Sequence, residues 1–514
     1  MTKISKRINL PINRAEGDLE IQVEIKDDTI VDAWSAGTMY RGFEAMMIGR
    51  GARDGLVVTP RVCGICSLTH LTAAVEALDE ITGIAPPDNA RRLRNLALMV
   101  ESIQSDIRQA VLMFMADFAN HDAYQHHPLG DDARRRYNPL EGESAIQVIR
   151  ETKRLLQIVA IIGGQWPHTS FMVPGGVTSI PEIAKIQQCK LIFERFCQWY
   201  ERSILGCSVE RWNRIKSIND LEAWLDESSS HRESEVGFFM CFSRQVGLDA
   251  LGKGPCRFLS YGNYTLPDET TVKGVGGRLF RAGFSTGVEV EPFDSSIITE
   301  DTSHAWFEKT DKALHPFAGE TKPYASGHSG RQYSWIKAPR YGGQTVETGP
   351  LAEMIINGHP LFQEMVKDKG PSVFARELAR LVRPVSLLGA MRIWLEELLE
   401  KRNETFYFPV GTIPDGEGAG LIQAARGALG HWVKVKNNKI AHYQIITPTA
   451  WNGSPRDSFG VRGAWEEALV GTTIKDIHNP VEAGHVVRSF DPCLVCAVHC
   501  IQKGRKKGFL TVGV

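Results

Sequence analysis

Arg61-Val-Cys-Gly-Ile-Cys-Ser-Leu-Thr-His70 and Asp491-Pro-Cys-Leu-Val-Cys-Ala-Val-His499 each hold a Cys-x-x-Cys pair followed closely by a histidine. Cys63 and Cys66 lie near the start of a 514-residue chain, Cys493 and Cys496 near its end. Three-residue spacing at a helix start puts both sulfurs of a pair on one side, and a helix N-terminus favours the thiolate. Two such pairs supply four soft ligands, suited to zinc, nickel or an iron–sulfur cluster. If the four meet, the fold must close its two ends over the body of the chain. The spacing alone leaves open a structural zinc site or a reactive metal centre. Structural zinc ribbons usually draw their pairs from one short module, whereas more than four hundred residues intervene here.

Composition narrows the class. The chain is 43% hydrophobic and 23% charged, ordinary for a globular protein with a substantial core. A net charge of -1 gives no bulk electrostatic case for nucleic acid or an anionic membrane. The one dense basic run is Lys503-Gly-Arg-Lys-Lys507, in the tail. No apolar run approaches the roughly 18–20 residues of a membrane span, and the N-terminus has no apolar signal-peptide segment. A cytoplasmic or partner-tethered peripheral location is expected. Cys189, Cys197, Cys207, Cys241 and Cys256 are scattered and match no motif; they read as buried thiols rather than a disulfide framework.

The pattern along the chain predicts an α+β fold: a mainly helical body with a long-helix bundle core, a small N-terminal sheet and peripheral β insertions. Residues 7–35 alternate apolar and polar, which predicts strands. Helical spacing covers residues 43–50, 65–81, 89–119, 144–162, 181–225, 349–356, 371–402, 461–470 and 481–498. Residues 120–142 read as a surface loop, 237–341 as a peripheral β-containing insertion, 416–430 as a glycine-rich turn and helix start, and 432–446 as strands. One domain, residues 1–499, is expected, followed by an extension, residues 500–514.

Several single residues have ordinary readings. Glu16 in Arg14-Ala-Glu-Gly17 could be a solvated turn carboxylate. Arg426 could be a surface arginine at a helix start. Asp491 could be a helix N-cap ahead of Pro492, and His70 a structural histidine.

The two cysteine motifs together resemble the paired signature of the large subunit of nickel–iron hydrogenases. The likeness extends through Arg14-Ala-Glu-Gly17, Arg41-Gly-Phe-Glu44, Pro174-Gly-Gly176, Ser334-Trp-Ile-Lys-Ala-Pro-Arg340, Ala425-Arg-Gly-Ala-Leu-Gly-His-Trp432 and Pro448-Thr-Ala-Trp-Asn452, in family order. Ser67-Leu-Thr-His70 and Glu101-Ser-Ile-Gln-Ser-Asp106 are most similar to the actinobacterial-type branch, whose members oxidise hydrogen at trace levels.

The resemblance implies a hydrogenase that cleaves H2 heterolytically, with Cys63, Cys66, Cys493 and Cys496 binding nickel. Cys66 and Cys496 would bridge to an iron carrying one carbon monoxide and two cyanides. Glu16 would relay protons from Cys493. Arg426 would bond a cyanide and help polarise H2, with Asp491 orienting it; Thr449 would donate to the other cyanide, and His70 could bond the Cys66 sulfur. Glu44, His499 and the Ile445 carbonyl would hold a magnesium or similar divalent ion.

Two departures stand out. Ala425 replaces the proline common before Arg426, and Ser105, with Asp106 beside it, falls where many relatives carry an aspartate over the centre.

The resemblance further implies an obligatory small subunit with the iron–sulfur clusters, assembly into a dimer or more of heterodimers, nickel-insertion factors, and a maturation protease that removes residues 500–514. The rivals are a hydrogen sensor of the same fold, which typically lacks the tail, a quinone-module relative from respiratory complex I, which lacks the cysteines, and a structural zinc protein.

Overall fold

A computed structural model of the chain describes residues 6–120, 122–326 and 331–494. At its N-terminus Lys6–Pro11, Leu19–Lys26 and Thr29–Gly37 form an antiparallel meander in sequential order. The alternation of residues 7–35 works as expected: Leu19, Ile21, Val23 and Ile25 are buried while the residues between them are partly or fully exposed. Asp27 and Asp28 both take left-handed φ, 51° and 59°, the geometry that a two-residue hairpin turn demands.

The helical body is built from long helices that are buried on most sides. Ser67–Thr82 carries the first cysteine motif at its N-terminus and stops at Gly83, whose φ of 67° closes the helix. Asp88–Arg108 and Val373–Glu400 pack against each other as the bundle core. The strands are spread over five small separate sheets, which is the α+β arrangement expected. No described helix is long and apolar enough to cross a membrane.

Four local expectations need correction. Residues 120–142 are not wholly loop, because Gly130–Tyr137 is helical. Its arginine-rich sequence hides an inward face on which Arg136 and Tyr137 bond the buried Glu235 at 3.1 and 2.5 Å. The segment read as β from residue 237 begins inside a helix, Glu235–Val246, capped by Ser234. Its first strand, Arg257–Thr265, is nearly all buried and hydrogen-bonds to Gln423 of the body through Tyr261.

Residues 416–430 form a β-hairpin, Gly416–Ala424 and Gly427–Lys436, rather than a helix start. The glycines there let a strand lie directly on the backbone of helix Ser67–Thr82. A Cβ at Gly420 would stand 1.8 Å from the Ala73 carbonyl oxygen, and one at Gly418 2.4 Å from that of Ala77. Finally, the helix expected over 481–498 ends at Ser489. Asp491 turns into the left-handed region at φ 55°, and Pro492 has no N–H with which to continue the helix.

The packing at Gly420 generates a test. Gly420→Ala should destabilise the chain by about 1–3 kcal/mol, the usual cost of overpacking a close-packed contact. A denaturant midpoint equal to wild type would show that the hairpin does not sit this close to the helix.

Candidate metal centre

Three cysteines converge. Cys63 follows the short turn Thr59–Arg61, and Cys66 is the N-cap residue of helix Ser67–Thr82. Cys493 arrives from the other end of the chain, after Pro492. The Sγ atoms of Cys63 and Cys493 are 3.6 Å apart, and those of Cys63, Cys66 and Cys493 all lie within 4.8 Å of one another. All three are at most 6% exposed. A tetrahedral ion with metal–sulfur bonds of about 2.3 Å holds its sulfurs about 3.8 Å apart. The spacing and chemistry of these donors therefore fit one soft metal ion. Cys496, His499 and the extension of residues 500–514 lie outside the described residues.

The loops that carry the sulfurs are tied down from several sides. Arg41 donates to the carbonyls of Val62 and Arg61 at 2.6 and 3.1 Å and stacks on Phe43, which holds the Cys63 loop. Glu101, on helix Asp88–Arg108, accepts the N–H groups of Leu68 and Thr69, each at 2.9 Å, and the Thr69 hydroxyl at 2.7 Å. It thus caps the helix behind Cys66 from a neighbouring helix. The segments Ser67–His70 and Glu101–Asp106 thus meet in space. The Cys493 segment is zipped to the N-terminal turn: Glu16 N–H donates to the Pro492 carbonyl at 3.4 Å and Leu494 N–H to the Glu16 carbonyl at 2.6 Å. Cys493 N–H donates to Thr449 Oγ1 at 3.0 Å.

Arg426 occupies the two-residue turn of the hairpin, not a helix start, and is 7% exposed. With Cys66, Cys493, His70, Thr449, Ala424, Leu429 and Pro448 it lines a small enclosed cavity. Its Nε lies 3.1 Å from Asp491 Oδ1. Its Nη1 is buried without a hydrogen-bond partner among the described residues, as expected of a donor awaiting a bound group. Burial disfavours the Arg426 charge, but Asp491 and the Cys493, Cys66 and Cys63 sulfurs outweigh it, so the guanidinium stays firmly charged.

His70 is fully buried, which drives its pKa down to about 4 and keeps the ring neutral. Its Nδ1 pairs with His431 Nε2 at 3.0 Å, and His431 Nδ1 pairs with the Tyr443 hydroxyl at 2.9 Å. Glu16 is half-buried. Burial, reinforced by Cys63 and Asp491, raises its pKa above the usual carboxylate value against the pull of Arg426 and Arg41.

Glu44 belongs to a second buried polar cluster. Its Oε1 accepts the Ile445 N–H at 2.9 Å and sits 3.3 Å from Lys337 Nζ, which also bonds Glu300 at 3.0 Å and Gln444 at 2.6 Å. Two carboxyl groups thus share one ammonium, and burial, opposed by Lys337 and reinforced by Glu44, pushes the Glu300 pKa up to about 7.

The structure thus gathers Cys63, Cys66, Cys493, Arg426, Asp491, Thr449 and His70 about one cavity, places Glu16 against the Cys493 backbone, and puts Glu44 beside Ile445. Sequence reasoning passed over Arg41's contacts, Glu101's capping, His431, Tyr443 and Lys337. A charged residue inside a run that is otherwise apolar at helical spacing, as Glu101 is, was the available signal. Of the scattered cysteines, Cys189 and Cys197 are buried as expected, while Cys207, Cys241 and Cys256 are half-buried.

Comparison with known proteins bears on this arrangement directly. A family model described as nickel-dependent hydrogenase matches residues 41–111 and 143–499. The chain is 32% identical to the periplasmic [NiFeSe] hydrogenase large subunit of Desulfomicrobium baculatum, over 96% of this chain and 94% of that one. It is 27% identical to the uptake hydrogenase large subunit of Rhodobacter capsulatus, over 95% of this chain and 94% of that one. The solved structure of H2-activated Dm. baculatum [NiFeSe]-hydrogenase superposes with a TM-score of 0.81 at 30% identity, covering 97% of this chain and 100% of that one. Buried cysteines from both chain ends, an arginine over them and a match in sequence and fold along nearly the whole chain lead to one assignment: the chain belongs to the nickel-dependent hydrogenase family, as a large subunit.

Proposed function

We propose that this large subunit oxidises H2 by heterolytic cleavage at a nickel–iron centre held by Cys63, Cys66, Cys493 and Cys496, and passes the electrons to iron–sulfur clusters of a separate small subunit. The convergence of the buried Cys63, Cys66 and Cys493, with Arg426 lining one cavity together with Cys66 and Cys493, carries the reading. When bound, such a centre supplies the electron-pair acceptor that splitting H2 requires; thiolate ligands suit it because they add electron density and can hold a proton.

The chain's own groups do the rest. Arg426, kept cationic and lining the cavity, would donate to a cyanide on iron and help polarise the incoming H2. Asp491 fixes its direction. Thr449 already accepts the Cys493 N–H, which leaves its hydroxyl hydrogen to donate to the second cyanide. The proton from H2 rests on the Cys493 sulfur and moves to Glu16. A half-buried carboxyl with a raised pKa is suited to accept it and to release it toward solvent. Glu44, the Ile445 carbonyl and His499 would hold a magnesium or similar hard cation; the 2.9 Å bond from Ile445 N–H to Glu44, which makes these two neighbours, supports this. The other described cysteines form no cluster set, so the electron path belongs to the partner.

Residues 500–514 are proposed to be cut away by a maturation protease after metal loading. The family match ending at residue 499 supports this. The mature subunit's intact mass should then correspond to a C-terminus at His499; a full-length mass in active complex would refute removal.

Two further outcomes test the site. The purified complex should contain nickel and iron and show infrared stretches of one carbon monoxide and two cyanides; zinc without those bands would end the hydrogenase assignment of the cysteines. Glu16→Gln should retain both metals yet lose hydrogen/deuterium exchange by about two to four orders of magnitude, the range of a general acid–base contribution. Wild-type exchange would remove Glu16 from the proton path.

A further inference from the structure

Helix Val373–Glu400 carries two arginines one turn apart, Arg380 and Arg383, in a stretch buried on nearly every side. Each is at most 2% exposed. Arg383 grips Asp106 with two parallel bonds, Nε to Oδ2 at 2.8 Å and Nη2 to Oδ1 at 2.7 Å. The same Nη2 donates to the Ala425 carbonyl at 2.9 Å, and Nη1 lies 3.5 Å from Glu353. Arg380 repeats the scheme: Nη1 donates to Glu377 at 2.9 Å and Nη2 to the Ser489 carbonyl at 3.1 Å. Gln109 braces the second set, donating to Glu377 at 3.1 Å and to the Arg488 carbonyl at 2.8 Å.

The two carbonyls belong to different segments. Ala425 immediately precedes Arg426; Ser489 precedes Asp491 by two residues and Cys493 by four. One turn of one helix therefore holds both strands of chain that meet in the Arg426–Asp491 pair. Buried ion pairs of this kind add little net stability over apolar side chains of the same volume. What they add is direction, because a guanidinium fork donates along fixed planar axes once a carboxylate has set its plane.

We propose that Arg383 with Asp106, and Arg380 with Glu377, are positioning residues: together they clamp the Arg426 turn and the Asp491–Cys493 segment at a fixed separation over the thiolates. This rests on the role proposed for Arg426. The grip of Arg383 on the Ala425 carbonyl holds the backbone immediately before Arg426.

The test uses the full-length chain and its complex. Arg383→Lys keeps the charge beside Asp106 but loses the fork; Asp106→Asn with Arg383→Met removes both charges together. In either variant, amide hydrogen exchange of the full-length chain should speed up across residues 421–430, with residues 19–37 unchanged. Glu377→Gln should do the same for residues 484–494. In the loaded complex the cyanide stretches should shift, and kcat should fall about ten- to a hundredfold with KM for H2 little altered, the size of loss that small misplacement brings. Asp106→Asn alone, which is isosteric, provides the milder variant should the others fail to fold. Its exchange and infrared bands should move in the same direction. Wild-type exchange in both segments together with wild-type bands would overturn the clamp. Full turnover in Arg426→Lys would instead remove the role of Arg426, with the exchange result on the clamp unaffected.

Discussion

Three cysteine sulfurs from opposite ends of a long chain stand within a few ångströms of one another in a buried pocket, and as thiolates, the form that binds a metal, they repel strongly. The architecture around them answers that constraint. Arg426 brings a cation that burial does not neutralise, because the sulfurs and Asp491 together hold its proton. Arg41 and Glu101 fix the Cys63–Cys66 loop through main-chain bonds. The N-terminal turn and the final segment hold each other, Glu16 against Pro492 and Leu494. With the ends joined in this way, the sulfurs are placed by backbone contacts and do not depend on their own packing.

Much of this was legible in the sequence because the controlling signals are local. Paired cysteines at helix-start spacing, the alternation of residues 7–35 and the apolar periodicity of residues 67–82, 88–108 and 373–400 each report on neighbours a few positions away. The hairpin at 416–436 was misjudged because its glycines answer to a helix more than three hundred residues distant, and a run such as Gly-Glu-Gly-Ala-Gly has no side chains to display a strand period. Arg426 therefore sits in a hairpin turn where the sequence pattern predicts a helix start. The premature end at Ser489 follows from a left-handed Asp491, a conformation that the sequence signals only weakly. Partnerships such as Arg383 with Asp106, 277 positions apart, leave no periodic trace at all.

Polar groups buried in this fold rarely act singly. His70, His431 and Tyr443 form one line, Glu44, Lys337, Glu300 and Gln444 a second cluster, and the Arg380 and Arg383 sets a third and fourth. Each satisfies most of its donors internally, as the low dielectric requires. Each also touches a segment that bears on the cysteine pocket. The interior is thus divided between an apolar bulk that supplies cohesion and a polar lattice that supplies orientation.

The contact of Gly418 and Gly420 on the helix of Cys66 has a wider meaning. Strand and helix there meet main chain to main chain, at Gly418 on Ala77 and Gly420 on Ala73, so the helix that starts at Cys66 and the strand that leads to the turn of Arg426 are spaced by backbone atoms. A spacing set by side chains drifts whenever a leucine becomes a methionine; one set by two backbones has the tolerance of covalent geometry itself. That gap works as a gauge block for the pocket, and sequence change elsewhere in the core can accumulate around it without altering the dimension it sets.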